Sequence, residues 1–129
     1  MLEGKDLPTV AYLQAVERRR IYREGFLRAL EKVDALAVPA LAIAAPPIGD
    51  DEVVVGRRRE GVRLALVRLT RPANLAGLPA ITVPCGFTRR GLPVGFQLIG
   101  RRFGEATLVR LAYAYEQSSP WHKQFPPDE

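Results

Sequence analysis

One cysteine and one histidine occur in 129 residues, and the only serines are an adjacent pair, Ser118 and Ser119. These scarcities exclude a good deal. A lone Cys85 forbids an internal disulfide, and with only His122 beside it no metal-ligand spacing can be assembled. Nucleophilic catalysis needs a Ser, Cys or Thr activated by a neighbouring base. Here the two serines fall at the end of a predicted helix, where turn or capping roles suffice. His122 sits in a Pro-rich tail, and Cys85 lies on a predicted bulky strand face, where a thiol is usually buried and inert. There is no Gly-rich phosphate loop. On the residues alone, no catalytic, cofactor-binding or metal-ligating position is assigned, and no cofactor is expected.

Long apolar runs are also missing. The most apolar stretch, residues 33–48, is interrupted by Asp34, Pro39, Pro46 and Pro47, well short of the ~20 residues a membrane span requires. The opening Met-Leu-Glu-Gly-Lys-Asp lacks the basic and then apolar pattern of a secretory leader. A cytoplasmic setting without membrane contact is the expectation.

What remains is an ordinary globular composition, 47% hydrophobic and 26% charged, with enough apolar side chains for one core. Residues 1–129 are accordingly read as a single domain or a fragment of one. The net charge of +5 comes from 16 Arg and 3 Lys against 14 acidic residues. The arginines are dispersed as Arg18 to Arg20, Arg57 to Arg59, Arg89 with Arg90, and Arg101 with Arg102. No aromatic residues are interleaved to stack bases, so solvated surface arginines are expected and nucleic acid is not.

Along the chain, Pro8 and Thr9 open a helix expected over residues 8–33, with a seam at Leu13, Val16, Arg20, Arg23, Leu27 and Leu30. The two arginines in that seam imply stems lying across the edge of the core, or pairing with carboxylates that this chain does not carry. A short buried strand follows at residues 35–38, ended by Pro39. Residues 39–56 read as a long surface loop, its Asp50, Asp51 and Glu52 run forming a solvated turn. Val62, Ala65, Leu66 and Leu69 favour a helix over a strand. Thr70 as a cap, Pro72 in the first turn and Gly77 as a left-handed terminator define a short helix that feeds a strand.

Residues 80–87 and 92–99 form two strands joined by Thr88, Arg89, Arg90 and Gly91. Alternation gives each strand two unlike faces. Ile81, Val83, Cys85 and Phe87, with Leu92, Val94, Phe96 and Leu98, are bulky; Ala80, Thr82, Pro84 and Gly86, with Pro93, Gly95, Gln97 and Ile99, are mostly small. The small face permits close approach by another element, and Pro84 withholds a ladder donor, so part of the first strand is expected to bulge. The last helix, residues 105–117, presents Leu108, Leu111, Ala112 and Tyr115 on one face with Glu105 at its start. Trp121 then anchors the tail.

Two blocks carry a resemblance. The first is Thr-Arg-Pro-Ala-Asn-Leu-Ala-Gly-Leu-Pro-Ala-Ile-Thr-Val-Pro-Cys-Gly-Phe at residues 70–87. The second is Gly-Leu-Pro-Val-Gly-Phe-Gln-Leu-Ile-Gly at residues 91–100. Together they resemble the C-terminal region of the amidase-signature family, which includes general amidases and the A subunit of glutamyl-tRNA amidotransferase. The likeness runs on through residues 103–108 to Trp121, His122 and Lys123, and back through Asp34, Ala35, Leu36 and the loop at residues 39–49.

The resemblance implies an α/β fold with a partial mixed sheet of about three strands and flanking helices. It also implies amide C–N hydrolysis by a Ser, cis-Ser, Lys triad held in a Gly/Ser-rich segment. That segment has no counterpart in this sequence, and Lys5, Lys32 and Lys123 have no serine-rich partner, so no catalytic residue carries over. The start of the chain reads as mid-protein. The expected function is therefore an amidase-related segment, inactive alone, whose partner is the missing N-terminal catalytic portion or another copy of itself. The alternative is a non-catalytic interaction or oligomerisation module derived from an amidase. Both long helices are expected on one sheet face, with a second copy covering the other face or an edge. Asn74 is expected to satisfy backbone groups where the short helix meets the strand.

Overall fold

The structure, a computed structural model, describes residues 6–125. Its chain order is α1 (Thr9–Leu30), β1 (Ala35–Pro39), β2 (Glu52–Val55), β3 (Arg58–Gly61), α2 (Val62–Val67), α3 (Arg71–Ala76), β4 (Ala80–Phe87), β5 (Pro93–Gly100) and α4 (Glu105–Ser118), then a 3-10 turn at Trp121–Lys123. The main sheet has three strands in the order β1-β5-β4, flanked by helices as the fold class anticipates. Both ladders are antiparallel. The register slips between Pro84 and Gly86, where the proline cannot donate.

Segment 39–56 departs from expectation. Its far end is a strand, β2, paired antiparallel with β3. Gly56, at φ 64°, opens the two-residue connection between them, the position at which a tight hairpin turn favours glycine. Three adjacent valines without alternation concealed the strand, and its partner, Arg58–Gly61, is almost wholly polar.

The two faces of the main sheet are covered by different helices, not by two helices on one side. Leu30 of α1, Ala73 and Ala76 of α3, Leu78 and Ile99 form the buried cluster, with Phe26, Leu36 and Val38 against it. On the opposite face, Phe96 meets Tyr115 of α4 edge to face at 4.8 Å. Gly100, on the Phe96 and Leu98 side of the strand, leaves room for Leu108. Ile99 is the reason for the difference, since one large side chain on an otherwise small face suffices to seat α1 and α3 there.

Within α1 the packed seam is rotated from the expected one. Arg20 points to solvent and pairs with Glu17 and Glu24 on its own helix. Arg19 instead donates from Nε to the carbonyl of Leu75 at 2.7 Å.

The short helix ends as expected, with Gly77 in the left-handed region at φ 67°, ψ 42° and its N–H on the Asn74 carbonyl. Thr70 does not cap it; its hydroxyl turns back to the Val67 carbonyl at 3.3 Å. Asn74 is exposed and contributes its backbone carbonyl to the cap, so the expected side-chain role is not what holds this corner. The tail is anchored as foreseen, with Trp121 edge-on to Phe87 at 6.2 Å.

Candidate functional site

The small-residue face of β4 and β5 continues past the core cluster and opens there into a groove of about 660 Å³. Its floor is set by Gly95. A Cβ at that position would stand 3.1 Å from Thr82 Cγ2 and from the Val83 carbonyl, and 3.7 Å from Ala40 Cβ. Glycine therefore keeps the floor flat and lets the Ala40 segment approach closely, and the Ala40 N–H donates to the Gly95 carbonyl at 3.0 Å. Residues 40–46 form one side of the groove. Leu66 and Thr70 come from the α2 region, and Thr88, Pro93 and Val94 lie at the hairpin end.

Among the described residues no ionisable side chain lines this groove; the side-chain polar atoms there are the hydroxyls of Thr70, Thr82 and Thr88. Two of these are committed. Thr70 bonds to the Val67 carbonyl, and the Thr88 oxygen accepts from the N–H groups of Arg90 and Leu92 at 3.3 and 3.1 Å, fixing the hairpin turn. The groove can bury a neutral, largely apolar group. It offers no acid or base and no activated nucleophile, which are the requirements for cleaving an amide.

The nucleophile candidates lie elsewhere. Ser118 Oγ donates to the Tyr115 carbonyl at 2.8 Å, a helix-end bond. Ser119 Oγ and His122 Nδ1 are buried near the tail, without hydrogen-bond partners among the described residues. Cys85 is half-buried at the β4 bulge. None of the four lines the groove.

Lys32 and Lys123 are exposed, and Lys5 lies outside the described residues. Asp50 and Asp51 are exposed, Glu52 faces Arg59 at 3.4 Å, and no cluster suited to a metal ion exists among the described residues. The perturbed titrations are far from the groove, on the outer surface of α1. There the Arg20 guanidinium bonds to Glu17 and holds that carboxyl below its ordinary value, while the same contact raises Arg20. The groove itself was foreshadowed by the small-residue face and the long loop after β1, although neither indicated that they would meet.

Comparison with known proteins gives a consistent picture. The family model described as Amidase matches residues 2–109. The A subunit of glutamyl-tRNA(Gln) amidotransferase from Thermosynechococcus vestitus is 46% identical over 116 residues, which is 89% of this chain and 23% of that protein. A crystal structure of an amidase superposes with a TM-score of 0.84 at 34% identity, covering 91% of this chain and 27% of its own. The structure of 6-aminohexanoate cyclic dimer hydrolase does so with a TM-score of 0.81 at 27% identity, covering 95% of this chain and 27% of its own. This chain thus spans about a quarter of the length of the relatives it matches.

Proposed function

The chain belongs to the amidase-signature family, as a C-terminal segment of that fold, and from that premise we propose that it serves amide C–N hydrolysis as a supporting part without chemistry of its own. The observation that carries this reading is the groove, which is built mostly from residues of the two motif blocks and the loop after β1 yet has no titratable side chain on its lining among the described residues. A segment of this kind supplies sheet and an apolar wall. The nucleophile, the proton donor and the oxyanion donors come from the remainder of the fold, within fractions of an ångström of one another's productive positions. A cytoplasmic setting is part of the proposal, and among the described residues no helix is long and apolar enough to cross a membrane.

The test is ammonia release from a panel of simple amides and glutamine by the purified chain. No turnover above buffer is expected. Turnover that disappears in a Ser118→Ala, Ser119→Ala double variant would overturn the proposal, because a dismissed serine would then be the nucleophile. A second reading, an oligomerisation module derived from an amidase, is favoured by the apolar side chains Val10, Leu13 and Val16 standing exposed on α1. Sedimentation at micromolar concentration separates the two, since that module requires a defined oligomer.

A further inference from the structure

We infer that the N-terminal half of α1 is a docking arm for the remainder of an amidase-signature fold, engaged through the helix face that carries Tyr12 and Val16. This rests on the functional reading above and names the surface that joins the two parts. Positions 12, 16, 19, 23, 26 and 30 advance in steps of four and three, so they share one face of the helix. From Arg19 to the end of α1 that face is occupied. Leu30 and Phe26 enter the core, and Arg19 bonds to the Leu75 carbonyl. Ahead of Arg19 the same stripe continues and stands exposed among the described residues: Tyr12 is 64% exposed and Val16 47%. Residues 12–20 are all exposed. A helix is stabilised mainly by packing its apolar face, and contiguous exposed apolar surface marks a partner.

The occupant is identified by superposition. The 6-aminohexanoate cyclic dimer hydrolase covers 95% of this chain, which leaves out about six of its residues (5% of 129). That is too few to omit the arm. The helix is therefore part of what superposes on a complete hydrolase, although ahead of Arg19 its residues 12–18 stand exposed here. What is present in that hydrolase and absent here is the unmatched 73% (100 − 27) of its chain, and we assign the arm to that portion rather than to a second copy.

The experiment co-expresses this chain with the Thermosynechococcus vestitus amidotransferase polypeptide from which the 116 matched residues have been removed, and follows co-purification and complex mass. A one-to-one complex is expected. Tyr12→Asp with Val16→Asp should weaken it at least about tenfold, as for central apolar contacts, while the melting temperature of the chain alone stays unchanged because both sites are exposed. Ile21→Asp, on the opposite side of α1 and 56% exposed, should leave the complex intact. The inference is overturned if no complex forms or if the complex survives the Tyr12, Val16 pair. It is also overturned if that pair instead dissolves a homodimer, which would make a second copy the occupant. Amide turnover by this chain alone would sink the functional reading while leaving the binding result readable.

Discussion

Replacing Gly100 by alanine tests how α4 is seated on the sheet. Gly100 ends β5 opposite Ala35, and its N–H is held by the Pro79 carbonyl at 3.0 Å. An added methyl would lie 2.9, 3.0 and 3.2 Å from Cγ, Cδ2 and Cδ1 of Leu108, against a comfortable carbon separation of about 3.5–4.0 Å. Leu108 is 2% exposed, so it has no free space to turn into, and α4 must lift by roughly half an ångström. Overpacking of this kind costs about 1–3 kcal/mol. At ~3–6 °C per kcal/mol for a chain of this size, the melting temperature should fall by roughly 3–18 °C. Leu108→Ala alone should cost about 2–5 kcal/mol through the cavity it leaves. The two changes must not add, because in the Leu108→Ala background the new methyl enters vacated space; a coupling of about 1 kcal/mol or more is expected. Urea unfolding of the four proteins followed by far-ultraviolet circular dichroism gives the cycle. If Gly100→Ala melts like the parent, or if the two costs simply sum, the close approach of β5 and α4 is not what the glycine serves.

Leu30→Ala, at one of the two most deeply buried large side chains, should cost about 2–5 kcal/mol in the same assay. Gly77→Val places a β-branched residue at φ 67° and should cost at least ~1 kcal/mol, whereas Asn74→Ala, at an exposed side chain, should change stability by less than ~0.5 kcal/mol; a large loss at Asn74 would show that its side chain does hold the corner. Glu17 has a lowered folded-state pKa because Arg20 bonds to it. Its small contribution is present above the ordinary carboxylate range and is lost as pH falls through the lowered value, so helical ellipticity should decline there in the parent and not in Glu17→Gln.

The hairpin and both neighbouring helices were legible because their signals are local. Strand alternation at 80–87 and 92–99, the Thr88 to Gly91 turn, Pro72 near a helix start and Gly77 at its end each act within a few residues. Pro84 announced the bulge for the same reason. What was not legible depended on partners distant in sequence. The seam of α1 turned on whether Arg19 or Arg20 faced the body, and a carbonyl 56 residues away decided it. Alternation separates the sheet faces correctly as far as Pro84, but past the bulge Gly86 pairs with Val94 and Phe87 with Pro93, which reverses the faces expected for those two. Nor does alternation carry information on what covers each face, so it does not reveal that Ile99 seats α1 opposite α4. The strand β2 was hidden by its polar partner, although Gly56 followed by one residue marked the turn. The groove combined two features that were read separately, the small-residue face and the long loop, and only the fold brings Ala40 over Gly95.

That this segment holds no activated nucleophile is tested most directly by incubating the purified chain with a fluorophosphonate, which phosphonylates serines made reactive by a neighbouring base, and measuring its intact mass. An unchanged mass is expected, because Ser118 Oγ is bonded to a helix carbonyl and Ser119 Oγ is buried without a partner base. A stoichiometric adduct at Ser118 or Ser119, lost on replacing His122 by alanine, would contradict it.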